Sequence, residues 1–385
     1  MPTLRGQTTG SGAAGVLAER STFNGVLALP ITDGHAQRGA ARRGGGSGGS
    51  AAGTAGWLAR PLAIMALVGA LAPTTAVGQG TGRAWEVQVS AVEEALGGEF
   101  EAMAYFPGSL VIHAGDTVRW RFEAVHTVTF PAGRPAPPRT VPGPGLGEAT
   151  LGPVHFPAGG AVYDGSEPVN SGRPLFVPPE AFAYELTFPL PGVHGYVCLL
   201  HPGMRGEVTV LPAGAPLPET PEQARARGEA TVAPLLALAR ADAAAARLEA
   251  TSGVHAALAG VANGNGASAK LFLPGDLTVK RGDTVVWTRA DAFDSHTVTF
   301  PGPGNAPPAF VEVRPQPSGE FLFVQPAASR SRSPGNNYAG EGLANSGILM
   351  SPGGTYLLRF DAPPGTYEYL CLLHPEMKGS VTVTG

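Results

Sequence analysis

The chain of 385 residues has two cysteines, few charged residues and no His-x-His pair. Charged residues make up 15% of it, the net charge is −4, and no basic stretch alternates with aromatic residues. This composition lacks the electrostatic pattern of nucleic-acid-binding proteins, so we expect no nucleic-acid partner. Glycine (55 residues) and proline (38 residues) are abundant, which favours turn-rich β structure over long helices.

Residues 1–82 are predicted to form a low-complexity N-terminus rather than a domain. The stretch GAARRGGGSGGSAAGTAG cannot bury a core. An apolar run over 62–71 follows, with Arg60 before it and small residues after it. This pattern is typical of a secretory signal peptide and predicts an exported protein, periplasmic, extracellular or at the cell surface. An uncleaved membrane anchor is the alternative, although the run is short for a membrane span.

The rest of the chain contains the same unit twice. YVCLLHPGMRGEVTV (196–210) parallels YLCLLHPEMKGSVTV (369–383), and the match extends upstream, where HTVTFP occurs at 126–131 and again at 296–301. Short alternating segments rich in Val and Thr, separated by Gly and Pro turns, indicate β-strands. The sequence therefore predicts two tandem all-β domains, over 83–212 and 253–385.

A helical linker is predicted over 213–252. Thr220 followed by Pro221 is a good helix start, and Ala, Leu, Arg and Glu dominate the segment after it. Pro234 should kink or split this helix. We interpret the linker as a semi-rigid spacer without chemistry of its own.

Each copy carries a Cys-x-x-His-x-x-Met loop between two strands, and a further histidine precedes the upstream strand. A thiolate, two imidazoles and a thioether are the donors of blue-copper electron-transfer sites. A disulfide between Cys198 and Cys371 is the alternative for an exported protein. Equivalent positions of two tandem domains usually lie too far apart for it. The candidate metal ligands are His126, Cys198, His201 and Met204 in the first repeat, and His296, Cys371, His374 and Met377 in the second.

With these motifs, each repeat resembles a cupredoxin of the plastocyanin, amicyanin and pseudoazurin family. The resemblance implies a Greek-key β-sandwich with one type 1 copper ion per domain, bound by the residues just named. It also implies that His201 and His374 reach the surface through apolar patches near Leu200 and Leu373 and pass electrons there.

The sequence departs from the family in two ways. Thr127 and Thr297 stand where the family often has an Asn that ties the two ligand loops, so a weaker tie is expected. Pro-rich insertions at 131–148 and 307–320 are expected to be surface loops beside or over the sites.

The resulting hypothesis is one-electron transfer between redox protein partners, with two type 1 copper ions and no enzymatic activity. A copper storage or delivery protein is the alternative from another class. A two-domain copper oxidase or nitrite reductase is a further alternative. The absence of His-x-His pairs disfavours it, unless an inter-subunit site supplies the catalytic copper. The sequence leaves the donor, the acceptor, the potentials and the oligomeric state open.

Overall fold

The computed structural model describes residues 82–175, 177–248, 251–333 and 335–385. The predicted signal peptide or membrane anchor lies outside these residues. Among the described helices, none is both long and apolar enough to cross a lipid bilayer.

The two repeats are built from short strands, which confirms the predicted all-β class. The strands of the first repeat are β1 (Ala84–Ala95), β2 (Gly98–Phe106), β3 (Ser109–His113), β4 (Thr117–Phe122), β5 (Thr129–Phe130), β6 (Thr140–Pro142), β7 (Ala149–Leu151), β8 (Val169–Asn170), β9 (Ala183–Thr187), β10 (Gly192–Val197) and β11 (Arg205–Leu211). The linker forms α1 (Pro221–Ala245).

The second repeat has a similar order of elements with one additional short strand, β19. Its strands and short helix are β12 (Val254–Ala262), β13 (Ala267–Leu273), β14 (Asp276–Lys280), β15 (Thr284–Asp291), β16 (Thr299–Phe300), β17 (Glu312–Pro315), β18 (Phe321–Gln325), α2 (Ala327–Arg330), β19 (Asn337–Tyr338), β20 (Ala344–Asn345), β21 (Thr355–Phe360), β22 (Gly365–Leu370) and β23 (Lys378–Thr384). Short 3-10 turns occur at Pro153–His155 and Pro179–Ala181.

Each repeat packs a five-stranded sheet against its half of a larger sheet. The five-stranded sheets have the orders β3-β11-β10-β5-β8 and β14-β23-β22-β16-β20. Aromatic rings fill the space between the layers: Trp120 packs edge-on against Tyr196 at 5.4 Å, and Trp287 packs likewise against Tyr369 at 5.4 Å. The two tyrosines were expected to be core residues, and both are 1% exposed. This core fixes the strands on which the candidate ligands lie.

The two repeats share one sheet of nine strands, in the order β19-β21-β15-β12-β13-β2-β1-β4-β9. At its centre β2 of the first repeat pairs antiparallel with β13 of the second, and Glu101 lies opposite Ser268 and Glu99 opposite Lys270. Both repeats belong to the same compact unit of the chain. This pairing holds the two repeats in a fixed register.

The linker helix begins as predicted but is not an isolated spacer. Thr220 caps it in a capping box with Gln223, and Pro221 is its first residue. The helix continues through Pro234 without splitting. Its buried face packs on β1, β2, β12 and β13. At Gly228 a Cβ atom would lie 2.5 Å from Pro107 N, so a side chain is excluded at this closest approach.

Most residues of the Pro-rich insertions are exposed loop, as expected, but each insertion also contains one short strand. They supply β6 and β17, which belong to a four-stranded sheet in the order β17-β18-β7-β6. In it β7 of the first repeat pairs with β18 of the second, and Arg314 forms an ion pair with Glu148 at 2.8 Å. Each insertion strand pairs with the next strand of its own repeat, β6 with β7 and β17 with β18, and the β7–β18 pair joins the two repeats.

Candidate metal centres

The ligand loop of each repeat is closed by its own backbone. The amide of Cys198 donates to the carbonyl of Met204 at 3.0 Å, and the amide of Met204 donates to that of His201 at 3.3 Å. The second repeat shows the same pattern. The amide of Cys371 donates to the carbonyl of Met377 at 3.0 Å, and the amide of Met377 donates to the carbonyl of His374 at 2.9 Å. The sequence spacing Cys-x-x-His-x-x-Met thus folds into one tight turn between β10 and β11, and between β22 and β23.

In the first repeat this turn meets His126, which lies three residues before the start of β5. Cys198 Sγ lies 3.6 Å from His201 Nδ1 and 3.7 Å from His126 Nδ1, and the two nitrogens are 2.8 Å apart. Met204 is buried in the same core cluster as Cys198. The structure brings the predicted thiol and the two imidazoles of the first repeat together.

The second repeat assembles the equivalent cluster. Cys371 Sγ lies 3.6 Å from His374 Nδ1 and 3.8 Å from His296 Nδ1, with 3.2 Å between the nitrogens. Met377 is fully buried in the same core cluster as Cys371. Each cysteine therefore serves its own repeat, and both are free thiols rather than partners in a disulfide.

The donors fit a transition-metal ion in size as well as in type. Bonds of about 2.0 Å to nitrogen and about 2.3 Å to sulfur, in a trigonal plane, would separate sulfur from nitrogen by about 3.7 Å. The observed sulfur–nitrogen separations are 3.6–3.8 Å in both repeats, and the nitrogen–nitrogen separations, 2.8 and 3.2 Å, are shorter than the separation of about 3.5 Å in the same plane. The described residues contain two groups of this kind, and both are the ones predicted from the repeat.

A threonine ties the ligand loops together in each repeat, so the expected weak point is absent. Thr127 Oγ1 accepts a hydrogen bond from the amide of Leu199 at 2.8 Å, and Thr297 Oγ1 accepts one from that of Leu372 at 2.7 Å. The amides of the same threonines point to the Cys198 and Cys371 sulfurs at 3.5 and 3.3 Å. The threonine hydroxyl group therefore links the two ligand loops at the position where the family often has an Asn.

The thiols are poised to ionise even though they are buried. Burial alone would raise the pKa of Cys198, but His201 and His126 lower it well below its ordinary value. His296 and His374 lower the pKa of Cys371 in the same way against the effect of burial. Because the thiolate is the form that binds metals, each cluster is prepared for a soft cation.

Carboxylates hold the outer nitrogens of the upstream histidines, and sequence reasoning missed them. His126 Nε2 donates to Glu101 at 2.6 Å, and His296 Nε2 donates to Asp291 at 3.2 Å. Burial lowers the pKa of His296, but the bonds to Asp291 and Cys371 outweigh it and raise that pKa to about 10. A carboxylate at this place fixes the ring so that Nδ1 faces the metal.

The two loop histidines are largely buried, whereas the resemblance implied that they reach the surface through apolar patches. The side chains of His201 and His374 are only 10% and 13% exposed. Both turn towards Asp294, whose Oδ1 lies 2.9 Å from His201 Nε2 and 3.8 Å from His374 Nε2. The reason is tertiary: the β2–β13 pairing sets the ligand-bearing ends of the repeats against each other.

Asp294 has one sequence signal, which is visible only after the repeats are aligned. From Trp120 to His126 the first repeat has five intervening residues, whereas the second has eight from Trp287 to His296. Asp294 lies in this longer loop. Glu101 and Lys270 have no such signal, because strand position alone does not reveal what a charged side chain meets across an interface.

The remaining histidines lie outside both clusters. His113 is hydrogen-bonded to the Ala215 carbonyl at 2.7 Å, and His155 to the Arg139 carbonyl at 3.0 Å. His255 is hydrogen-bonded to the Asp283 carboxylate at 3.0 Å. His194 packs against Tyr163 at 5.2 Å between ring centroids. His35 lies outside the described residues.

Comparison with known proteins agrees with the second centre. Residues 259–384 match the family described as copper binding proteins of the plastocyanin/azurin family, a range that includes His296, Cys371, His374 and Met377. The second repeat therefore matches this copper-binding family, which confirms the cupredoxin resemblance for that part of the chain. No curated protein matches the chain.

Solved structures similar to this chain include several amicyanins. A reduced proline-to-phenylalanine mutant is 24% identical over 35% of this chain and 87% of its own, with a TM-score of 0.22. A reduced tryptophan-to-tyrosine mutant has 23% identity, the same coverages and the same score. A Cu(I) methionine-to-alanine mutant has 22% identity over 37% and 89%, with a TM-score of 0.21. Scores this low support no conclusion about function.

Proposed function

We propose that the protein is an exported one-electron carrier with two type 1 copper centres, one in each repeat. The observation that carries the proposal is that both repeats gather two imidazole nitrogens and a thiolate at separations that fit one metal ion. Copper bound there supplies a one-electron couple between Cu(II) and Cu(I). The family match over residues 259–384 supports copper in the second repeat, and the matching donors of the first repeat extend the proposal to it.

The chain's own residues favour a carrier because they keep the donors fixed. The threonine links and the backbone bonds of each loop hold the sulfur and one imidazole, and carboxylates orient the others. The upstream histidines and Cys371 are completely buried, and Cys198 is 5% exposed, so water is excluded from the donors. A site that does not rearrange when its charge changes is suited to fast electron exchange.

The same burial weighs against copper delivery. A delivery protein must present its ligands to an acceptor, whereas His201 is 8% exposed and His296 is fully buried. The oxidoreductase alternative requires additional histidines for a catalytic copper. His113, His155 and His255 are engaged in hydrogen bonds elsewhere, so one protomer's described residues offer no obvious second cluster. We propose that small redox proteins are the donor and acceptor.

Metal analysis and visible spectroscopy test this function. The exported protein should bind two copper ions per chain and absorb near 600 nm when oxidised, reversibly. Cys198→Ser and Cys371→Ser should each remove about half of this absorption. A single copper, zinc without colour, or loss of all colour in one single variant would contradict two independent centres.

Assays for turnover distinguish the carrier from the enzyme. The copper-loaded protein should exchange electrons with small redox proteins in stopped-flow experiments and show negligible turnover with oxygen, phenols or nitrite. Sustained reduction of oxygen or nitrite would overturn the carrier proposal and favour the oxidoreductase alternative.

A further inference from the structure

We propose that Asp294 is a bridge between the two metal centres, through which they exchange electrons within one chain. The proposal rests on the proposed electron-transfer function and deepens it. Asp294 Oδ1 lies 2.9 Å from the outer nitrogen of His201 and 3.8 Å from that of His374. The inner nitrogen of each of these histidines belongs to a donor cluster. One carboxylate oxygen thus connects a ligand of the first repeat with a ligand of the second.

The bridge is held rigidly by its own loop. The amides of Phe293 and Asp294 donate to Asp291 Oδ1 at 2.7 and 2.9 Å, and Arg289 Nε donates to the Asp294 carbonyl at 2.5 Å. Asp291 also accepts from His296, a ligand of the second cluster. The loop that carries Asp294 is therefore part of the second centre and extends from it towards the first.

The path between the centres is short and nearly free of solvent. Asp294 is 5% exposed and His201 is 8% exposed. The connection consists of two imidazole rings and a carboxylate oxygen, with two non-covalent contacts between them. The contact to His201 has hydrogen-bond length at 2.9 Å, and the step to His374 is a single through-space gap of 3.8 Å. The exchange moves one electron from the reduced centre to the oxidised one, and no bond is made or broken and no proton is transferred.

The charges around the bridge couple the centres electrostatically as well. We define the interface cluster as Lys270, Arg289, Glu99, Glu101, Asp291 and Asp294. Lys270 Nζ contacts Glu101 and lies 3.1 Å from Glu99 and 3.9 Å from Asp294. The formal charges of the cluster sum to −2, from two cations and four carboxylates. A centre with Cu(II) and a thiolate carries +1, so two oxidised centres balance the cluster.

This balance makes the centres interdependent. Adding an electron to one centre leaves a net charge of −1, and adding the second leaves −2, inside a region where unbalanced charge is costly. The second electron should therefore enter at a lower potential than the first. Replacing Asp294 by a neutral residue removes one negative charge next to both centres and favours the reduced form of each.

Asp294→Asn keeps the side-chain shape and removes the charge. Spectroelectrochemistry should show that the equilibrium constant for reduction rises about tenfold at the first centre, equivalent to about 59 mV for one electron, and by a smaller factor at the second, because 3.8 Å exceeds 2.9 Å. Asp294→Glu, which retains the charge, should remain closer to the wild type. Asp276→Asn is the matched control, since Asp276 is exposed and hydrogen-bonds to Ser380 in the same repeat.

Copper content and colour separate the two proposals. A wild type that binds two copper ions reversibly supports the carrier function whatever the variant does. If Asp294→Asn keeps both ions and its potentials shift no more than those of Asp276→Asn, the bridge is refuted and the carrier function is not.

A second measurement needs no change at Asp294. Met377→Gln alters the weak ligand of the second centre and should separate the two absorption spectra. After rapid addition of less than one electron per chain, the electron should redistribute between the centres at a rate independent of protein concentration. A rate proportional to concentration would mean exchange between molecules and would refute the bridge.

Discussion

Lys270 is the cation on which the interface between the repeats depends most directly. Its side chain is 6% exposed, and its ammonium contacts Glu101 and lies 3.1 Å from Glu99. Burial would lower the pKa of Lys270, but Glu101, Asp294 and Glu99 raise it well above its ordinary value. The ammonium is therefore charged in the folded protein. Lys270→Met keeps the stem of the side chain and deletes the charge, leaving the buried Glu101 carboxylate without its cation.

The magnitude follows from these contacts. At 3.1 Å and an effective dielectric constant of about 20, a unit charge pair attracts by about 5 kcal/mol, and desolvation offsets much of this. Removing one member of a buried pair typically costs about 3–5 kcal/mol, because the other charge stays buried. We expect Lys270→Met to lower the free energy of unfolding by that amount. Adding Glu101→Gln should restore part of it, since it removes the charge that Lys270 balances.

Urea denaturation of the copper-free variants, followed by tryptophan fluorescence and circular dichroism, measures this effect. Lys280→Met is the control, because Lys280 is exposed, and it should change stability by less than about 0.5 kcal/mol. If Lys270→Met were as stable as Lys280→Met, the role given to Lys270 would be refuted. A double variant less stable than Lys270→Met would show that the unpaired carboxylate is not the source of the cost.

Two further predictions concern the linker helix and a buried histidine. Alanine normally favours a helix over glycine by about 1 kcal/mol, but Gly228→Ala should destabilise the protein because the new Cβ would lie 2.5 Å from Pro107 N. Thermal unfolding measures this effect, with Ala230→Gly on the exposed face of the same helix as the comparison. A Gly228→Ala variant more stable than the wild type would contradict the close packing. Burial lowers the pKa of His155 to about 4, with a contribution from Arg173. The unfolded state binds this proton near pH 6.5 and the folded state only near pH 4, so stability should fall by about 2 kcal/mol, after allowance for solvent screening, as the pH drops through that window. Urea unfolding of copper-free His155→Gln at each pH should lack this loss, and identical pH profiles would refute it.

The repeat, the all-β class and the thiol and imidazole members of each donor cluster could be read from the sequence alone. Ligands such as Cys198 and His201 share one loop, and strand pairing within a repeat brings in His126, so local order and short-range topology are sufficient. The helix start at Thr220 was predictable for the same reason, because capping is local. The continuation of the helix through Pro234 was not predictable, since it depends on the packing of the helix against neighbouring strands.

The way in which the two repeats face each other became visible only in the folded chain. Nothing local to β2 or β13 shows that these strands pair, and that pairing brings Glu101, Lys270 and Asp294 together and buries the two loop histidines that the family resemblance placed at the surface. The sequence could reveal the extra residues around Asp294 but not the histidine of the other repeat that they meet. A side chain's chemistry is set by its residue type, whereas its partners across an interface are set by long-range packing, which no spacing along one repeat records.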